Sequence, residues 1–169
     1  DLLEKCDDSM DLIVLPEYSD APADVQGKAG FYGAVDTYGP VILEKARETA
    51  KRCHSLLFVN ALYDSGAGLR NTTYAFDRDG KIVGHYFKQQ PTNGEVFKRK
   101  MDCAYSYEWS EPTVVTIEGL RFCFLTCYDF YFYESFARLA KEKPDIIILL
   151  RKCDLFYTGS KAANGFIFL

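Results

Sequence analysis

Two uninterrupted apolar runs constrain the fold of this chain more than any other feature. Residues 11–15 (DLIVL), stopped by Pro16, and residues 145–150 (DIIILL) show no polar alternation. Short runs of this kind are strands covered on both faces, the form found inside layered α/β domains. The segments between them alternate in period. Residues 40–54 read as an amphipathic helix with Pro40 in its first turn and Lys45, Arg47, Lys51 and Arg52 crowding its later half, where the helix dipole favours cations. Residues 55–63 form a second strand. Gly66 and Gly68 then break the chain before a strand at 72–76, and Asp79-Gly80 joins that strand to another at 82–87 in a hairpin. A long polar and aromatic loop occupies 88–111. A second hairpin pairs 113–117 with 120–126 around Glu118-Gly119, a helix follows at about 134–142, and no repeat is visible. The expected class is layered α/β.

Composition narrows the possible functions. The 169 residues carry 20 Lys plus Arg against 24 Asp plus Glu, a net charge of −4, and are 48% hydrophobic. Disorder, a collagen-like repeat and the basic excess of a nucleic-acid-binding domain are excluded. No apolar run approaches the ~20 residues of a membrane helix. Residues 1–169 read as one domain, expected to be partial: the chain opens at Asp1 in a helix-like stretch bearing Leu2, Leu3 and Cys6, and stops at Leu169 inside an apolar run. Residues 151–169 do not continue the pattern, and exposed sheet edges are expected where neighbouring parts would pack.

The six cysteines, Cys6, Cys53, Cys103, Cys123, Cys127 and Cys153, are sparse, and several lie in strand-like runs, which fits buried thiols of a reduced, cytoplasmic compartment better than disulfides. With no Cys-x-x-Cys pair and only His54 and His85, far apart, a zinc site is not expected. Asn71-Thr72-Thr73 matches a glycosylation acceptor, a pattern that carries meaning only in a secreted protein.

Three residues bear chemistry directly after strands. Cys127 stands between the strand ending at Thr126 and the next helix, where a nucleophile can be presented to a cleft beside backbone N–H groups. Glu17 emerges after Pro16 and can act as a general base. Lys88 follows Tyr86 and Phe87 and can act as a fixed cation for an oxyanion. Taken singly, each is more often a buried thiol, a solvated glutamate or a solvated lysine. Taken together they come to the same end of one sheet, with the chemistries of base, oxyanion stabiliser and nucleophile.

The segments 12–17 (LIVLPE), 86–95 (YFKQQPTNGE) and 127–134 (CYDFYFYE), in that order, resemble the nitrilase superfamily of carbon–nitrogen hydrolases. The run Gly80-Lys81-Ile82-Val83-Gly84 before the lysine is also similar to that family. The resemblance implies a nitrilase-like αββα sandwich, here incomplete at both ends, and a Glu-Lys-Cys triad of Glu17, Lys88 and Cys127. It implies a second glutamate, Glu95, that orients substrate and helps to position the lysine. The implied reaction is hydrolysis of a non-peptide C–N bond, in an amide or carbamoyl amine rather than a nitrile, through a thioester on Cys127. Lys88 and the backbone N–H of Tyr128 would hold the oxyanion, and Lys88 would favour the Cys127 thiolate.

The same resemblance implies no metal or organic cofactor, a small-molecule amide substrate, no nucleic-acid or membrane partner, and homo-oligomers of the full-length protein. Tyr128 and Tyr131, with Phe130, Phe132 and Tyr133, are candidates to wall a pocket or an interface, core packing being the alternative. Lys98, Arg99 and Lys100 suit a substrate carboxylate or, more commonly, a solvated loop face. The chain departs from the family pattern at residues 131–134 (YFYE), where an Arg and a Pro are usual, and at Gln89-Gln90, where His-Leu is usual. The rival readings are a Cys-His hydrolase using His54 or His85, and a catalytically silent member acting as an interaction module.

Overall fold

The computed structural model describes residues 2–22, 25, 27–109, 114–151 and 166–168, the last three by their backbone. After a 3₁₀ turn at Leu3–Lys5, strand β1 (Leu12–Val14) leads to helix α1 (Gly27–Cys53) and to strands β2 (Leu56–Asp64), β3 (Leu69–Phe76) and β4 (Ile82–Phe87). These strands form one sheet in the order β1-β2-β3-β4, parallel between β1 and β2 and antiparallel thereafter. Strands β5 (Val114–Ile117) and β6 (Leu120–Thr126), helix α2 (Tyr133–Lys141), and strands β7 (Ile146–Leu150) and β8 (Phe166–Phe168) build the other half. Their sheet runs β5-β6-β7-β8, with β6 and β7 parallel.

The sheets pack face to face. Phe58 of β2 meets Phe122 and Phe124 of β6 edge-on, both with ring centroids at 5.1 Å, and Leu56, Ala75, Tyr86, Val115, Ile148 and Leu150 complete this inner layer. Helix α1 covers the outer face of the first sheet through Ala46, Ala50 and Cys53 against Leu57, Val59 and Phe76. Helix α2 covers the second through Leu139 against Cys123 and Leu125. The layering is therefore αββα, and both continuous apolar runs lie in it as strands. Gly84 of β4 faces β5 so closely that a Cβ there would stand 2.6 Å from Val115 Cγ2, so this side of the sandwich closes only over a hydrogen.

The structure differs from the sequence expectation at several points. Helix α1 begins at Gly27, and Pro40 lies inside it. Gly27, Gly30, Gly33 and Gly39 depress helix propensity ahead of the proline, which hid the first three turns. Burial of Phe31, Ala34 and Val35 stabilises those turns, and Pro40 removes only one backbone donor from the helix. Strand β3 starts at Leu69 because it pairs with β2 out to Asp64, and a turn closed by Ser65 N–H to Gly68 C=O carries the two glycines. The 88–111 loop holds a π-helical turn at Gly94–Lys98. Beyond Leu150 the second sheet continues, since Phe166–Phe168 pairs antiparallel with β7. Thr113, Glu111 and Cys153 lie outside the described residues. Among the described residues no helix is long and apolar enough to cross a membrane.

Candidate active site

Glu17 and Lys88 follow β1 and β4 of the first sheet, whereas Cys127 follows β6 of the second. The expectation that all three share one sheet is thus corrected: they meet across the sandwich, at the end where both sheets deliver their chain exits. Lys88 Nζ donates to Glu17 Oε1 at 2.9 Å and to Glu95 Oε1 and Oε2 at 3.1 and 3.0 Å. All three side chains are about 2% exposed. The Cys127 thiol is hydrogen-bonded to the Glu17 carboxylate and lies within the field of Lys88. Cys127 is half buried, whereas the ion cluster beside it is enclosed.

The two glutamates are held differently. Glu95 accepts from Lys88, from the Tyr18 hydroxyl, from Asn71 Nδ2 and from both the N–H and the hydroxyl of Thr92. With every lone-pair direction of both oxygens engaged, it is fixed as an anion. Burial alone would raise its pKa, but Lys88 and these donors together bring it below the ordinary value. Glu17 accepts from Lys88 and Asn71 on Oε1 and also bonds the thiol. Of the two carboxylates, Glu17 is thus the one in contact with a transferable proton. Burial acts to lower Lys88, but the two carboxylates outweigh it and hold the ammonium above its ordinary range.

Burial pushes the Cys127 thiol up to about 12, the Glu17 charge adding to the effect and Lys88 opposing it. Lys88 favours the thiolate as expected, but burial first, and then the charges of Glu17 and Glu95, outweigh it. Cys127 therefore rests as a thiol beside the Glu17 carboxylate.

Backbone geometry presents the sulfur. Cys127 has φ +49°, the left-handed region that a side chain rarely adopts, at the first residue of a 3₁₀ turn, Cys127–Tyr131. Asp129 holds this elbow. It is fully buried and accepts from Thr126 N–H at 2.8 Å, from Gln89 and Gln90 N–H at 3.0 and 2.6 Å, and from the Tyr86 hydroxyl at 2.9 Å. One carboxyl thereby ties the exit of β4, which carries Lys88, to the turn that carries Cys127. Burial raises Asp129 to about 7 against the pull of those N–H groups. Its place in Cys-Tyr-Asp was legible in the sequence, although its bracing role was not.

Tyr128 and Tyr131 are exposed beside Cys127, with ring centroids 5.9 Å apart, and Phe132 meets Tyr128 edge-on at 5.0 Å. His54 follows α1 and its carbonyl accepts from Arg78, while His85 on β4 packs against Phe87 at 4.7 Å. The charged groups acting on the Cys127 thiol are Glu17, Lys88 and Glu95. Lys98 and Lys100 are solvated, but Arg99 is half buried and stacks on Tyr18 at 4.7 Å and Phe31 at 4.4 Å. Asn71, expected as a possible glycan acceptor, is 2% exposed within β3 and bonded to both glutamates, so the folded chain offers no acceptor there.

Comparison with known proteins adds three findings. The family model described as carbon-nitrogen hydrolase matches residues 3–163. No curated protein matches the chain. Solved structures share the fold at low identity. A carbon-nitrogen hydrolase from Helicobacter pylori G27 superposes with a TM-score of 0.65 at 16% identity, over 83% of this chain and 47% of that one. The glutamine-dependent NAD+ synthetase from Acinetobacter baumannii gives 0.65 at 19%, over 85% and 26%. A glutamate-to-glutamine mutant of the amidase from Nesterenkonia sp. AN1, showing Michael addition of acrylamide at its active-site cysteine, gives 0.60 at 17%, over 83% and 53%. The chain spans about half or less of the length of these proteins.

Proposed function

Because the chain belongs to the carbon–nitrogen hydrolase family, we propose that it carries the catalytic centre of an amidase-type enzyme acting on small, non-peptide amides or carbamoyl amines. The observation that carries this reading is a single cluster in which Glu17 and Glu95 hold the buried Lys88 ammonium and the Cys127 thiol lies against Glu17. Cys127 Sγ attacks the carbonyl carbon while Glu17 takes the thiol proton. The tetrahedral oxyanion is stabilised by Lys88 and the backbone N–H of Tyr128. An ammonium has three N–H donors, and contacts to Glu17 and to the Glu95 carboxylate can be met by two of them, which leaves the third for the oxyanion. Collapse breaks the C–N bond, and the amine or ammonia leaves with the proton held by Glu17. Water then attacks the thioester, Glu17 taking its proton, and the acid departs as the Cys127 thiol is restored.

Glu95 fixes Lys88 in this scheme and orients substrate through it, and Tyr128 and Tyr131 form the aromatic wall that substrate meets first. The mechanism uses no metal or organic cofactor. The chain's sparse cysteines favour a reduced, cytoplasmic compartment, and the family resemblance favours a homo-oligomer with no nucleic-acid or membrane partner. The test is ammonia release from a panel of small primary amides and carbamoyl amines. Turnover of at least one is expected, abolished in Cys127→Ala and Lys88→Met. Absence of release from every amide by the full-length protein, or release that survives Cys127→Ala, overturns the proposal and favours a catalytically silent member.

A further inference from the structure

A chain of buried amides lies beneath the ion cluster. Asn60 of β2 and Thr73 of β3 are directly paired, and Asn71 lies two residues along β3 on the same face. Asn60 and Asn71 are 0% and 2% exposed. The orientation of both amides follows from hydrogen-bond polarity. Tyr18 N–H, which can only donate, bonds Asn60 Oδ1 at 2.8 Å. Asn60 must then turn Nδ2 the other way, where it donates to Asn71 Oδ1 at 2.7 Å and to Thr73 Oγ1 at 3.3 Å. With its oxygen engaged, Asn71 directs both Nδ2 hydrogens at carboxylates, at 2.9 Å to Glu17 Oε1 and 2.8 Å to Glu95 Oε1. Thr73 Oγ1 also lies 3.3 Å from Thr126 Oγ1, on the residue before Cys127.

We propose that Asn60 and Asn71 are positioning residues that set the hydrogen-bond polarity of the active site, a peptide N–H beside Glu17 orienting Asn60 and Asn60 orienting Asn71 so that two donors are presented to the two glutamates. The need is electrostatic. Two carboxylates stand against one ammonium in a dry site, and amide donors set between them offset their mutual repulsion. A flipped Asn71 would direct its oxygen at both and worsen the conflict. The inference rests on Glu17 being the base, and it concerns what aims the amide donors at it.

The experiment follows the rate of Cys127 alkylation by acrylamide against pH, read by intact mass and peptide mapping, in the unaltered chain, Asn71→Asp and Asn60→Ala. Asn71→Asp keeps the volume but replaces both donors by acceptors. It should move the acid limb of the profile to higher pH by about one unit or more. Asn60→Ala touches neither carboxylate, yet it frees Asn71 to turn and should move the limb the same way by less. Lower reactivity with an unmoved limb in the folded variants would reduce the asparagines to structural residues and overturn the proposal. If the variants do not fold, the unaltered chain still decides by NMR: both Asn71 side-chain amide protons should exchange slowly, and exchange as fast as in exposed asparagines overturns it. Glu17→Gln separates this from the functional reading, because an unchanged alkylation rate in that variant removes Glu17 as base while the exchange result still reports the orientation of Asn71.

Discussion

Replacing Glu17 by Gln yields opposite signs under two mechanisms of Cys127 activation. The thiol rests high, at about 12, so near neutral pH only roughly one sulfur in 10⁵ is a thiolate. The Glu17 carboxylate is part of the cause, both as a neighbouring charge and as a hydrogen-bond partner. Suppose that reactivity came from the pre-formed thiolate alone. Removing the Glu17 charge would then lower the thiol pKa, and each unit of lowering would multiply the thiolate fraction about tenfold, so Glu17→Gln would react faster. Base assistance, in which Glu17 takes the proton as Sγ attacks, predicts the reverse: a fall of about 10²- to 10⁴-fold, the usual worth of a positioned general base. The substitution is nearly isosteric, and its oxygen can still accept from Lys88 and Asn71, so the fold should persist. Alkylation by acrylamide, followed by intact mass and assigned to Cys127 by peptide mapping, measures the rate directly. Faster or unchanged reaction in Glu17→Gln refutes base assistance.

Other parts of the structure carry their own expected outcomes. Asp129→Asn keeps an acceptor for Gln89 and Gln90 but sets an amide N–H₂ against Thr126 N–H; it should cost about 1–3 kcal/mol in chemical denaturation and slow Cys127 alkylation, because the elbow loses its brace. Asp129 is raised from 3.8 to about 7, so it holds its proton more tightly folded than unfolded. Its contribution is therefore complete below about 3.8 and is lost as pH rises to about 7; melting temperatures should show that loss in the parent and not in Asp129→Asn. Lys88 and Cys127 are raised as well, from 10.5 and 9.0. Their contribution is complete below about pH 9 and falls away above it, so stability should drop on the alkaline side before ordinary lysines titrate. Gly84→Ala drives a methyl into Val115 and should destabilise by about 1–3 kcal/mol at unchanged m-value, measured by urea unfolding.

Much of this architecture was legible because burial on both faces leaves an unambiguous mark: the runs at β1 and β7 have no polar face to offer water, and the Asp79-Gly80 and Glu118-Gly119 turns fix their hairpins. Helix α1 was half hidden because four glycines and a proline argue locally against a helix that tertiary burial of Phe31 and Val35 stabilises. In the site, Glu17, Lys88 and Cys127 were visible as chemistry placed directly after strands. Asn71 was not, since in sequence it reads as a glycan acceptor, and only pairing between β2 and β3 brings it beneath both glutamates. The state of the Cys127 proton was also out of reach. Sequence supplies a cation and two anions, whereas the sign of their sum on the sulfur depends on distances and on the exclusion of water.

The central claim is that Cys127 carries the acyl group. It is tested most directly by mixing the full-length protein with a turned-over amide, quenching in acid, and mapping the peptides by mass. A thioester on Cys127 predicts an acyl increment on the Cys127 peptide alone, discharged as a hydroxamate by hydroxylamine and absent in Cys127→Ala. Hydrolysis that proceeds with no adduct on Cys127, or with an adduct on another residue, contradicts it.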